Sequence, residues 1–87
     1  IEESGERDMQ KLRPDLNIGG NIQKIRYDRK LTQDQVIAKM NLMGIQISKS
    51  TYAKLETNRM NIKVSELIAM KKIFDCEFED FFAGLEN

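Results

Sequence analysis

Lys49 and Ser50, with Lys54 four residues after Ser50, stand in the stretch Ser48-Lys49-Ser50-Thr51-Tyr52-Ala53-Lys54-Leu55-Glu56. Lysine amines and serine hydroxyls donate hydrogen bonds to base edges in a major groove and to phosphate oxygens. On one helix, Lys49, Ser50, Ala53 and Lys54 fall on one side, while Tyr52 and Leu55 fall on the other. The second side suits a core and the first is left to meet a polar ligand. A solvated, functionless helix face has the same composition, so the elements around it decide the reading.

Those elements are short helices with readable ends. Ser48 is placed to cap the helix, which extends to about Thr57, and Asn58 suits a left-handed stop. Upstream, Thr32 with Gln35 forms a Thr-x-x-Gln capping box for a helix whose buried stripe is expected at Val36, Met40 and Met43. Gly44 ends that helix, after which Ile45 and Ile47 are expected to point inward and Gln46 outward. Asn17 is expected to cap a first helix reaching about Arg29, with Ile18, Ile22 and Ile25 on one face. Gly19 and Gly20 weaken that helix but allow another backbone to come close. Arg26, Arg29 and Lys30 gather at its C-terminus, where cations suit the macrodipole. A fourth helix is expected over Val64 to Phe74, burying Leu67, Met70 and Phe74 with Ile68 and Ile73 flanking. A fifth follows Asp75 and Cys76 and runs through Phe78, Phe81, Phe82 and Leu85. Residues 1–16 read as a polar N-terminal arm: Met9, Leu12 and Leu16 have helical spacing, but Pro14 interrupts. With no strand signal and no repeat, residues 17–87 form one all-α domain of five helices. Two helices joined by a tight connection, the second with one buried and one polar face, define a helix-turn-helix.

Bulk properties agree. Eighty-seven residues make one domain at most, and 40% hydrophobic with 32% charged content fits a soluble globular chain. Formal net charge is zero, but it is unevenly spread. Residues 1–19 hold three basic and five acidic residues, a net of −2; residues 20–63 hold nine and three, +6; residues 64–87 hold two and six, −4. A basic middle between acidic ends is the footprint of a polyanion-binding face. No membrane span or signal peptide is read, and a lone cysteine, Cys76, fits a reducing cytoplasm. Because residue 1 is isoleucine, a processed form or a piece of a longer chain is expected.

Enzymatic groups are missing. The chain has no histidine, which removes the usual general base and zinc ligand. Cys76 sits among apolar residues and reads as a core thiol. Gly19-Gly20 lacks the lysine and hydroxyl of a phosphate loop, and the acids Asp75, Glu77, Glu79 and Asp80 lack calcium-loop spacing. No catalytic residue, metal site or cofactor is therefore assigned.

From about Ile18 to Leu85 the sequence resembles the lambda-repressor/Cro, or XRE, family of helix-turn-helix regulators. The resemblance is carried by Ile18-Gly19-x-x-Ile22-x-x-Ile25-Arg26, Leu31-Thr32-Gln33, Ser48-x-Ser50-Thr51-x-x-x-Leu55-Glu56, Glu66-Leu67 and Phe81-Phe82. Departures are a span from Thr32 to Ser48 about five residues longer than the common form, Ile37 in place of a small alanine, Asn58 in place of glycine and Ile62 in place of proline. The extra length implies about one more turn in the first helix of the motif. By resemblance, Lys49, Ser50 and Lys54 occupy base-reading positions and Gln33 a phosphate-binding one. Gln33 has independent support, since helix N-termini favour anions and its amide adds a donor. Thr51, Asn58 and Arg59 are further phosphate candidates. Glu56 lies where the dipole disfavours an acid, and family geometry implies a cationic partner, Arg26 or Arg29.

These observations point to a sequence-specific regulator, most simply a repressor, that binds double-stranded DNA as a cytoplasmic homodimer. Phe78, Phe81, Phe82 and Leu85 spread around more than one side of a short helix, so they are expected at the dimer interface. The alternative is a protein-interaction module of the same fold, an antitoxin or adaptor, using that Phe-rich C-terminal helix.

Overall fold

A computed structural model describes residues 17–85, and the N-terminal arm read over residues 1–16 lies outside them. Among the described residues five helices follow one another: α1 (Ile18–Asp28), α2 (Gln33–Leu42), α3 (Lys49–Glu56), α4 (Val64–Phe74) and α5 (Phe78–Phe81). The local signals behind them act largely as read. Thr32 Oγ1 accepts from the Gln35 amide while Gln35 Oε1 accepts from the Thr32 amide, completing the capping box of α2. Ser48 Oγ accepts from the Thr51 amide at the start of α3. Gly44 stands at φ 89° with no neighbour within 4 Å of a Cβ, and Asn58 stands at φ 61°.

One core serves all five helices. Ile18, Ile22 and Ile25 of α1 meet Val36 and Met40 of α2, Tyr52 and Leu55 of α3, and Leu67, Met70 and Phe74 of α4. Burying an aliphatic or aromatic side chain of this size stabilises by about 1.5–3 kcal/mol, so the face facing the core dictates each helix's orientation. α1 packs on α3 and α5, while α2 packs on α3 and α4. The approach of α1 to α3 needs a glycine. A Cβ on Gly19 would lie 2.2 Å from the Leu55 carbonyl oxygen, closer than any real contact.

Three local expectations are corrected. Asn17 does not cap α1 with its side chain; it adopts φ 54°, and its Oδ1 accepts from Asn58 Nδ2 across 41 residues. Met43 does not extend the buried stripe of α2, because the helix ends at Leu42 and Met43 turns outward, 42% exposed. The fifth helix is a single turn, and Phe81 within it is fully buried, its ring 6.5 Å from that of Phe74. Phe81 therefore belongs to the core of its own chain and is unavailable to a partner. Phe82 and Leu85 are half-buried against the same core, and Phe78 is 40% exposed beneath the Lys71 ammonium.

Candidate nucleic-acid interface

The start of α2 lies against α3. Lys49, Ser50 and Lys54 are all exposed on α3, while Tyr52 and Leu55 on the same helix are buried. The eight-residue helix thus presents the three base-reading candidates on its outer side, with Lys49 and Ser50 in the first turn, the part of a recognition helix that enters a groove deepest. Thr51 is half-buried, its hydroxyl accepting from Ser48 Oγ. Arg59 is exposed, with Nε donating to Thr57 Oγ1.

A buried ionic network sets the relation of α2 to α3. Arg26 Nε donates to Glu56 Oε2 at 2.6 Å and Arg26 Nη2 to Glu56 Oε1 at 3.0 Å, a bidentate pair. Both residues are buried, so Arg26, rather than Arg29, is the partner of Glu56. Arg26 Nη1 also donates to the Leu31 carbonyl, holding the α1–α2 turn. Gln33 Nε2 donates to Glu56 Oε1 at 3.0 Å and ties α2 to the same carboxylate. An amide nitrogen carries two hydrogens, so Gln33 is oriented by Glu56 and retains a second donor. Burial alone would raise the Glu56 pKa, but hydrogen bonds from Arg26 and Gln33, with the Arg26 charge, hold it below the ordinary 4.5. The same ion pair raises the Arg26 pKa. The Tyr52 hydroxyl faces this network, fully buried but without a hydrogen bond of good geometry, and burial first, then the Glu56 charge, keeps it protonated well above 10.0.

Some candidate residues serve the fold. Asn58 Oδ1 accepts from the Gly19 amide at 2.8 Å and its Nδ2 donates to Asn17, so its side chain clasps α1 to the end of α3. Arg29 leaves the end of its own helix to donate to the carbonyls of Phe74 and Asp75, capping α4. Asn21 Nδ2 does the same for the carbonyls of Phe81 and Ala83 after α5. The outer face also carries a charged contact that periodicity and caps do not signal: Lys49 Nζ lies 3.2 Å from Asp34 Oδ1. Its sequence signal is that Asp34 and Glu56 are the two acids between Arg29 and Ser65. Among the described residues no cluster of potential metal ligands occurs, and no helix is long and apolar enough to cross a membrane.

A helix-turn-helix with polar, basic side chains on the outside of its second helix defines a class of DNA-binding domain. Residues 22–81 match the helix-turn-helix family profile of the lambda-repressor-like, XRE type, and the chain belongs to that family. Neither the curated proteins nor the solved structures provide a match.

Proposed function

We propose that this domain is a sequence-specific transcriptional regulator that binds duplex DNA in the cytoplasm and represses by occupying an operator. The observation that carries the reading is the exposed Lys49, Ser50 and Lys54 face on a helix whose inner side is locked to α1 and α2 through Glu56. Lys49 donates to guanine O6 and N7, Ser50 serves either base type, and Gln33 supplies a phosphate donor beside the positive end of α2. Thr51 and Arg59 add weaker phosphate contacts. Two protomers pair through the C-terminal end, with Phe78, Phe82 and Leu85 as the apolar contacts. The acidic residues there keep that end away from the phosphates.

Selection from a random duplex pool tests this. Enrichment of an inverted repeat with half-sites about 34–36 Å apart is the expected result. Absence of any enriched sequence would count against sequence-specific regulation.

A second reading, a protein-interaction module, draws on a different surface from the Phe-rich helix. Leu42 is 88% exposed, and with Met43 and Ile73 it lines a shallow groove flanked by Lys39 and Lys72. That surface lies at the opposite end of α2 from Gln33, so it is compatible with DNA binding rather than a competitor to it.

A further inference from the structure

We propose that Asp34 is a specificity-determining residue, a fixed repulsion that penalises phosphate-only binding more than base-reading binding. The proposal rests on the DNA-binding reading above. From Arg29 to Ser65 the chain carries seven basic residues and two acidic ones. Glu56 is buried and neutralised by Arg26. Asp34 is left as the exposed carboxylate of this stretch, next to Gln33 in the first turn of α2. Its carboxylate lies 3.2 Å from Lys49 Nζ, and the two side chains are 72% and 63% exposed.

An acid in the first turn suits the helix dipole, but that role needs no reach toward α3. The contact with Lys49 has a separate consequence. A phosphate approaching the start of α2 meets the Gln33 donor and the Asp34 charge together. Lys49 compensates Asp34 only while it stays near. Drawn to a phosphate elsewhere, Lys49 leaves the carboxylate uncompensated beside a polyanion. An ammonium has three hydrogens, so Lys49 in the groove donates to guanine and still bridges to Asp34. Binding to the wrong sequence therefore loses more than binding to the right one. This is discrimination through an unfavourable contact rather than an added favourable one.

The test compares fluorescence anisotropy of wild type, Asp34→Asn, Lys49→Ala and the double variant, at one salt concentration. Two duplexes are used: the one the wild-type chain enriches from a random pool, and a scrambled version. Asp34→Asn is expected to tighten the scrambled duplex about fivefold and the enriched duplex less than twofold. In the Lys49→Ala background it should tighten both alike. Equal tightening of both duplexes with Lys49 present reduces Asp34 to bulk charge and overturns the proposal, as does no change on either. Thermal melting of Asp34→Asn, an isosteric change at an exposed site, checks that the fold is intact. Should the wild-type chain itself enrich no sequence, the DNA-binding reading fails and this proposal with it. Clear wild-type enrichment with an unmoved specificity ratio in Asp34→Asn overturns the role of Asp34 alone.

Discussion

The roles proposed for Lys49, Ser50 and Gln33 make separable predictions because base and phosphate contacts carry different information. Lys49→Ala and Ser50→Ala should flatten base preference, each base contact discriminating by about 1–3 kcal/mol. Gln33→Ala should lower affinity on all sequences alike, read by titrating cognate and scrambled duplexes. Glu56 predicts a stability effect instead. Removing one partner of a buried ion pair strands the other charge, so Glu56→Ala should destabilise by about 3–5 kcal/mol in urea unfolding. Its folded pKa lies below the unfolded value of about 4.5. The stabilisation is thus fully present above that pH and is lost as pH falls through it toward the folded value. Glu56→Gln should remove that part of the acid dependence of the urea midpoint. The partner of Glu56 was narrowed to two arginines by sequence, but the choice needed three dimensions. Arg26 shares the buried face with Ile22 and Ile25, whereas Arg29 lies beyond the helix end and reaches the α4 carbonyls.

At the scale of elements, what was legible was what is decided within four residues. The Thr32–Gln35 box, the Ser48 cap and the left-handed Gly44 and Asn58 are all local chemistry. What misled was a pattern continued past its element. Met43 completes the 3.6-residue stripe of Val36 and Met40 on paper, but the helix stops first. Phe81 looked like surplus apolar surface because a single-turn helix gives periodicity too few residues to act on. Sequence reads Asn17 as a local N-cap and Asn58 as a local stop, whereas the bond between them joins positions 41 residues apart. The α1–α3 contact gives a sharp prediction. Gly19→Ala forces a Cβ into the Leu55 carbonyl and should cost about 3 kcal/mol or more, measured by thermal or urea unfolding. The atoms nearest a Cβ on Gly20 belong to the Asn17 side chain rather than to backbone, so Gly20→Ala should be far milder.

At the scale of the molecule, zero net charge conceals a basic middle of +6. If about four to six phosphates are neutralised per protomer, log affinity should fall with log salt at a slope of about −4 to −5 per protomer. A flat response in a salt titration would contradict DNA binding. Sedimentation with and without a palindromic duplex tests the proposed pairing separately: Phe82→Ala should weaken it while Phe81→Ala should mainly unfold the chain. The outward tip of the motif has another consequence. A Cβ on Gly44 would meet open space, Leu42 and Met43 point to solvent, and the chain returns through Ile45 and Ile47 before α3 begins. The spacing of Gln33 from Lys49 is held by Glu56 and the core rather than by the length of this tip. The backbone bonds that close α2 end with Gly44 N to Asn41 O and Ile45 N to Met40 O, so a short epitope or dye-labelling sequence inserted between Ile45 and Gln46 should leave the two helix starts in register and give a reporter position on the domain.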